Sequence, residues 1–211
     1  MAGRHFASVI FDMDGTLLDS TPAVARSWLR WAGEYGIPPE KLLGNHGVPA
    51  ESIVASLLPG GDTGAALNRI GELELSDLDG VVPLPGAVEA LDVLGGRAAI
   101  ATSCTAPLAD ARLRAAGITR PAVLVTVDDV ERGKPAPDPF LAAAWALGVD
   151  PADCLVVEDA PQGLRGARAA GCATLAVVTT TDRSELEADL VVENLSRVQW
   201  QVADEGIAVT S

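Results

Sequence analysis

The chain has 211 residues, of which 48% are hydrophobic and 4% aromatic, so its core must be built mainly from Ala, Val and Leu. This length is enough to bury a full core and indicates one domain, or one domain with a sizeable insertion. The 15 basic and 29 acidic residues give a net charge of −14, which disfavours nucleic acid or an anionic membrane surface as a partner.

The sequence carries no sign of a targeting segment or of a disulfide framework. No uninterrupted apolar run approaches the ~18 residues of a membrane span, and the first residues lead into a strand rather than a signal sequence. We therefore expect a cytoplasmic protein. Cys104, Cys154 and Cys172 are widely spaced in apolar surroundings, which favours reduced core thiols, and none has a partner at zinc-ligand spacing.

The first predicted element is a buried strand from Phe6 to Phe11, and two aspartates follow it directly. The side chains of Asp12 and Asp14 are expected to point in nearly the same direction. Their carboxylates would therefore repel each other unless a cation lies between them. Mg²⁺ would supply that charge, and an aspartate beside it can attack phosphorus. A lone Asp-x-Asp is more often an Asx turn that caps a strand end, so the interpretation depends on the rest of the chain.

The next segment is predicted to be entirely helical. Ser20 and Thr21 can cap the first helix, with Pro22 at the first helical position, and two further helices follow before residue 81. Because no strand is predicted between Thr21 and Val81, we expect an all-helical insertion at residues 19–83. The remaining residues, 1–18 and 84–211, would form an α/β core.

Strands and helices alternate after residue 84, which predicts parallel strands joined by right-handed crossovers. Helices are expected at about 86–95, 107–116, 138–147 and 161–170, and strands at 97–102, 122–127, 154–157, 173–178 and 189–192. The tail from about Gln199 is expected to be a weakly held end.

Reactive side chains follow several of these predicted strands, at the edge where open parallel sheets bind ligands. They are the hydroxyls Thr102 and Ser103, the loop lysine Lys134, and the acids Glu158 and Asp159. Taken singly, each has an ordinary interpretation as a helix cap, a solvated loop residue or an exposed strand end. Their joint occurrence suits phosphoryl transfer, which needs a nucleophile, a cation and donors to the phosphoryl oxygens.

Four segments, in this order along the chain, resemble the four motifs of haloacid dehalogenase-like (HAD) hydrolases. They are residues 12–20 (Asp-Met-Asp-Gly-Thr-Leu-Leu-Asp-Ser), 101–103 (Ala-Thr-Ser), 133–138 (Gly-Lys-Pro-Ala-Pro-Asp) and 158–163 (Glu-Asp-Ala-Pro-Gln-Gly). The resemblance covers about residues 6–195 and is highly specific as a set. It implies a Rossmann-like, mostly parallel sheet flanked by helices, with an inserted all-helical cap that closes over a small substrate.

Within that superfamily the chain is similar to sugar-phosphate phosphatases of the 2-deoxyglucose-6-phosphate and glycerol phosphate type. The resemblance implies Mg²⁺-dependent hydrolysis of a small phosphorylated sugar or polyol through an aspartyl-phosphate. Asp12 would attack phosphorus, and Asp14 would protonate the leaving alcohol and then deprotonate the attacking water. The expected partner is thus a small phosphorylated metabolite, and we expect a monomer or weak dimer.

The resemblance also assigns the binding residues. The phosphate would be bound by Thr102, Ser103 and Lys134. The Mg²⁺ would be held by Asp12, Asp14 through its backbone carbonyl, and Asp159, with Glu158 acting mostly through a metal-bound water.

Two positions depart from the pattern of this family. Cys104 stands where relatives often have Gly, and we expect this to affect only packing. Val48 stands where relatives often have an Arg that reaches the substrate from the cap, which leaves the substrate range open. Candidate substrate contacts in the cap are Asn45 and His46, although His46 is equally well interpreted as a solvated loop residue.

Other functions of the same family are compatible with the core motifs. A β-phosphoglucomutase-like phosphotransferase is the main alternative, but mutases carry a His where this chain has Val24 and lack the residue corresponding to Thr16. Haloacid dehalogenases lack the second acid, which is present here as Asp14. A catalytically silent member would be expected to lose Asp12 or Asp14, and this chain retains both.

Overall fold

The computed structural model describes residues 3–43 and 48–211. The strands are β1 (His5–Phe6), β2 (Ser8–Phe11), β3 (Leu18–Asp19), β4 (Val82–Pro83), β5 (Ala98–Ala101), β6 (Val123–Val125), β7 (Cys154–Glu158), β8 (Ala173–Val177), β9 (Leu190–Val192), β10 (Gln199–Ala203) and β11 (Gly206–Thr210). The helices are α1 (Thr21–Glu34), α2 (Ala50–Leu57), α3 (Thr63–Ser76), α4 (Ala87–Leu94), α5 (Ala106–Ala115), α6 (Asp138–Leu147) and α7 (Pro161–Ala169).

The central sheet has six parallel strands in the order β6-β5-β2-β7-β8-β9. Strand β2 lies inside the sheet, and its residues Ser8–Phe11 are all buried, as expected for a parallel strand covered on both faces. The predicted α/β class, with a Rossmann-like parallel sheet flanked by helices, is confirmed.

Alternate residues of the strands face opposite layers of helices. Phe11, Ile100 and Val157 belong to the cluster that includes buried residues of α4 and α5, whereas their neighbours Ile10 and Val156 belong to the cluster on the side of α6 and α7. This alternation follows from the two-residue period of a strand. Because both faces are covered, the reactive side chains can reach solvent only beyond the strand ends.

The helical insertion, α1–α3, forms a hydrophobic cluster of its own. Trp31 is fully buried, stacks near Tyr35 with ring centroids 4.8 Å apart, and donates its indole N–H to the carbonyl of Ala66 on α3 at 2.9 Å. The half-buried Val48 packs against the same cluster. Among the described residues from 21 to 81 the structure has no strand, as the sequence predicted.

The chain enters and leaves the helical insertion through two neighbouring strands. Strands β3 and β4 pair antiparallel, with Leu18 opposite Pro83 and Asp19 opposite Val82. The polypeptide therefore passes between the α/β core and the insertion at one place in the fold.

The expectation of a weakly held tail from Gln199 is wrong. Strands β10 and β11 form an antiparallel hairpin, and β11 also pairs with β1. Ile207 and Val209 are buried at alternate positions of β11, and Trp200 makes an edge contact with Phe11 at 5.9 Å between ring centroids. The predicted first strand is correspondingly divided, because β1 pairs with this hairpin and β2 with the central sheet.

Within the described ranges, no helix is long and apolar enough to cross a membrane.

Candidate active site

Several of the side chains predicted to carry the chemistry follow directly after parallel strands. Asp12 follows β2, and its backbone N–H donates to the carbonyl of Val157 on β7 at 2.9 Å. Thr102 follows β5, and its N–H donates in the same way to Val125 on β6. The sheet hydrogen bonds therefore continue one residue beyond each strand and fix where these side chains begin.

Lys134 joins the first and last motifs. Its Nζ donates to Oδ1 of Asp12 at 2.5 Å and to Oε1 of Glu158 at 2.6 Å, and all three side chains are buried. Burial alone would lower the pKa of the Lys134 ammonium, but the carboxylates of Asp12 and Glu158 outweigh it and raise that pKa above its ordinary value. Lys134 is thus a fixed cation beside Asp12.

Three carboxylates meet around this lysine. One oxygen from each of Asp12, Glu158 and Asp159 lies within 4.8 Å of the others. Burial raises the pKa of Asp12 well above its ordinary value, and burial together with Glu158 raises the pKa of Asp159 to about 7. One lysine cannot balance three buried acids, so the cluster fits a hard divalent cation that prefers oxygen ligands.

Hydrogen bonds hold the acids of the last motif in place. Oε2 of Glu158 accepts from the backbone N–H groups of Asp159 and Ala160, each at 3.0 Å. Oδ2 of Asp159 accepts from the hydroxyl of Thr180, which follows β8. The cluster is therefore preorganised by the main chain as well as by Lys134.

Two glycines leave the space that these carboxylates occupy. A Cβ on Gly163 would lie 1.7 Å from Oε1 of Glu158, and a Cβ on Gly15 would lie 2.2 Å from Oδ2 of Asp159. Gly15 also has a φ of +84°, which favours glycine. Both motifs thus need glycine for steric reasons that concern the acidic cluster itself.

The carboxylate of Asp14 has a different set of neighbours. Its Oδ1 accepts from the hydroxyl of Ser20 at 2.6 Å and from Nη1 of Arg112 at 3.0 Å, and its Oδ2 accepts from the thiol of Cys104 at 3.1 Å. Burial and the carboxylate of Asp14 raise the pKa of the Cys104 thiol well above its ordinary value, so the thiol stays protonated and can donate. The expectation that Cys104 affects only packing is therefore wrong.

The remaining predicted site residues are Thr102 and Ser103 of the core and Asn45 and His46 of the insertion. Thr102 is buried, and its Oγ1 accepts from the N–H of Cys104 at 3.1 Å, whereas Ser103 is exposed. Asn45 and His46 lie outside the described residues.

Three residues of this region were not predicted from the sequence. Thr180 follows a parallel strand, so the rule that located Asp12 and Asp159 could have found it. Arg112 lies inside α5 and Glu74 near the end of α3, where nothing in the local pattern distinguishes them from surface residues.

A parallel sheet with this acidic cluster at its carboxyl edge and a helical insertion after its first strand defines a recognisable class. The profile of the haloacid dehalogenase-like hydrolases matches residues 6–171, which is more than half of the chain. The chain belongs to this family, as its motifs predicted.

Individual relatives agree with this assignment. The chain is 41% identical to hexitol phosphatase A of Escherichia coli, over 90% of this chain and 91% of that protein. It is 31% identical to glycerol-1-phosphate phosphohydrolase 2 of Saccharomyces cerevisiae, over 89% of this chain and 82% of that protein. A crystal structure of a hydrolase from Pseudomonas syringae superposes with a TM-score of 0.80 at 30% identity, covering 90% of this chain and 94% of that one. The predicted enzyme class, a phosphatase within this family, is confirmed.

Proposed function

We propose that this chain is a Mg²⁺-dependent phosphomonoesterase that hydrolyses a small phosphorylated sugar or polyol through phosphorylation of Asp12. The observation that carries the proposal is the contact of Lys134 with Asp12, because it places a buried cation beside the predicted nucleophile. Relatives that are named for hexitol and glycerol-1-phosphate hydrolysis support a polyol or sugar as the alcohol.

Asp12 and Asp14 divide the covalent steps between them. Asp14 enters the first step protonated. A carboxylate oxygen of Asp12 attacks phosphorus, the bond from phosphorus to the substrate alcohol breaks, and Asp14 gives its proton to the departing oxygen and becomes a carboxylate. Asp14 then takes a proton from water, which attacks the same phosphorus and breaks its bond to Asp12. Inorganic phosphate leaves, and both carboxyl groups return to their initial state.

The other site residues would bind the negatively charged phosphoryl group and the metal ion. Lys134 and the hydroxyls of Thr102 and Ser103 would hold the phosphoryl oxygens. The metal would be held by Asp12, Asp159 and the backbone carbonyl of Asp14, with Glu158 acting through a bound water. When bound, Mg²⁺ supplies positive charge that lowers the repulsion between the phosphate and the carboxylates.

The helical insertion would serve as the cap of this site. In this proposal residues 1–18 and 84–211 form the catalytic core, and residues 19–83 cover a metabolite-sized substrate and exclude bulk water. Asn45 and His46 are the proposed cap contacts to the substrate. We further propose that the enzyme works in the cytoplasm as a monomer or weak dimer.

The test is phosphate release by the wild-type chain and by Asp12→Asn. With Mg²⁺ and a panel of hexose, hexitol, pentose, glycerol and glycolate phosphates, we expect the wild type to release inorganic phosphate and Asp12→Asn to fall to the level of buffer alone. The matched control is Asp150→Asn, an exposed aspartate before the amino end of β7, which should keep full activity.

Two outcomes would contradict the proposal. Phosphate release that survives Asp12→Asn would exclude Asp12 as the nucleophile. Conversion of a hexose phosphate to its positional isomer without net phosphate release would instead support the phosphotransferase alternative.

A further inference from the structure

Arg112 is a buried cation that belongs to none of the four motifs. It lies on α5 and is 4% exposed, and its Nη1 donates to Oδ1 of Asp14 at 3.0 Å and to Sγ of Cys104 at 3.1 Å. Arginine is rarely buried to this degree unless acidic partners compensate it. The partner here is the carboxylate that the proposed mechanism uses as acid and base.

The other nitrogen of the same guanidinium reaches the helical insertion. Nη2 of Arg112 donates to Oε1 of Glu74 on α3 at 3.3 Å, and the Glu74 side chain is 14% exposed. Helices α3 and α5 pack against each other at this point. One planar group therefore connects the core acid Asp14 to a carboxylate of the insertion.

A second contact to Asp14 comes from the junction between core and insertion. Ser20, which donates to Oδ1 of Asp14 at 2.6 Å, directly precedes α1 and is buried. Arg112 also donates to Oδ1, and Cys104 donates to Oδ2, so both oxygens of Asp14 accept hydrogen bonds. None of these donors belongs to the carboxylate cluster of Asp12, Glu158 and Asp159.

The shape of the guanidinium matters for this arrangement. Its two Nη groups lie in one plane at a fixed separation, so they can contact two carboxylates at once. A lysine ammonium is a single point charge on a flexible chain and cannot keep both contacts in the same geometry. The bridge between Asp14 and Glu74 thus requires arginine and not simply a positive charge.

We propose that Arg112 is a positioning residue for Asp14, and that Glu74 fixes Arg112 from the side of the insertion. Asp14 then stands in place for proton transfer only while α3 packs against α5. This inference rests on the proposed function, in which Asp14 protonates the leaving alcohol. It adds two residues that act through Asp14 and not on the substrate.

The experiment compares two substrates that differ in their need for a proton. A polyol phosphate releases an alkoxide that must be protonated, whereas p-nitrophenyl phosphate releases a stable anion that leaves without help. The quantity measured is kcat/KM for each substrate, because it reports the steps up to departure of the leaving group. For Arg112→Lys and Arg112→Met we expect kcat/KM on the polyol phosphate to fall at least ~10-fold, a modest share of what general acid catalysis contributes. We expect the value for p-nitrophenyl phosphate to change less than about 3-fold, since its departure needs no acid.

The matched control is Arg114→Met, which removes an exposed arginine from the same helix. It should leave both kcat/KM values unchanged. A general loss of folding would lower kcat/KM for both substrates by the same factor. Thermal unfolding of every variant is therefore recorded alongside. If Arg112→Met does not fold, Arg112→Lys and the Glu74 variant below carry the same test.

The role of Glu74 is tested by a double-mutant cycle. Glu74→Gln should lower kcat/KM selectively for the polyol phosphate, whereas Glu72→Gln, an exposed neighbour on α3, should not. Because Glu74 acts through Arg112, adding Glu74→Gln to Arg112→Met should cause no further loss.

Equal losses on both substrates, wild-type values for Arg112→Lys, or additive effects in the cycle would each overturn this inference. Failure of the proposed function itself would give a different experimental result. It would show as absence of phosphate release in the wild type, or as activity that survives Asp12→Asn, before any Arg112 variant is considered.

Discussion

At the scale of single residues, the acidic cluster depends on a position that has no side chain. Gly163 lies in the first turn of α7, directly against Glu158. We expect Gly163→Ala to displace the Glu158 carboxylate and with it the contact to Lys134, because a Cβ would lie 1.7 Å from Oε1. Phosphate release should fall at least ~10-fold, as expected when a group that orients the metal site is disturbed.

The control for this prediction is Gly33→Ala. Gly33 lies in α1, and a Cβ there would meet no atom within 4 Å apart from its chain neighbours and the nearby backbone of its own helix. This variant should keep its activity and gain up to about 1 kcal/mol in stability, because alanine is the better helix former. Full activity of Gly163→Ala would contradict the steric argument.

The same scale shows what local sequence can and cannot predict about the site. Asp12, Lys134 and Asp159 could be located because strand ends in a parallel sheet meet at one edge, which is a property of the fold class. Arg112 could not, since its partner Glu74 is brought near by the packing of α3 on α5, and no local pattern encodes that contact. The structure gives the positions of the described site residues, and the catalytic, phosphate-binding and metal-binding roles of all the predicted site residues, including Asp12, Lys134 and Asp159, stay predictions.

At the scale of elements, the helical insertion depends on Trp31 for its packing. Trp31 is fully buried and links α1 to α3 through its hydrogen bond to Ala66. We expect Trp31→Ala to lower the free energy of unfolding by about 3–5 kcal/mol, the usual cost of removing a large core aromatic. Denaturant unfolding measures the change.

The matched control is a tryptophan that packs against little. Trp145 on α6 is 84% exposed. Trp145→Ala should change the free energy of unfolding by less than about 0.5 kcal/mol. Equal losses for the two variants would show that burial does not account for the role of Trp31.

The carboxyl-terminal hairpin permits a similar comparison. Ile207 on β11 is fully buried, whereas Val202 on β10 is 42% exposed. Ile207→Ala should cost about 2–5 kcal/mol of stability, and Val202→Ala much less, because only the first opens a cavity. Thermal unfolding distinguishes them, and a neutral Ile207→Ala would mean that the hairpin is held only loosely.

The exposure and pairing of this hairpin also explain why a weakly held tail was wrongly expected from the sequence. Strand β10 is largely exposed on both faces, so it lacks the apolar alternation that identifies a strand. Strand β11 has that alternation, but its second partner is β1 at the other end of the sequence. A pairing between such distant segments leaves no local signal, whereas the helices around the parallel sheet were predicted from the alternation of strand and helix segments along the chain.

At the scale of the whole molecule, bound metal and stability should be linked. The excess of buried acids over Lys134 opposes folding in the absence of a cation, so Mg²⁺ should stabilise the folded chain. At a concentration 100 times the dissociation constant, the gain is about 2.7 kcal/mol. Thermal unfolding with Mg²⁺ and with a chelator measures it without using activity.

Asp159→Asn should abolish most of this Mg²⁺-dependent shift, since it removes a proposed ligand. Asp150→Asn should retain it, because Asp150 is exposed and outside the cluster. An equal melting temperature with Mg²⁺ and with chelator in the wild type would count against a metal site at this cluster.

The antiparallel pair of β3 and β4 makes the helical insertion exchangeable between homologous enzymes. The chain leaves and re-enters the core through neighbouring strands, with Asp19 opposite Val82. A graft from a homologous phosphatase therefore needs to match one short pair of strands and to keep a carboxylate at the position of Glu74, which Arg112 contacts. We expect such chimaeras to keep the phosphate chemistry of the recipient and to adopt the substrate preference of the donor.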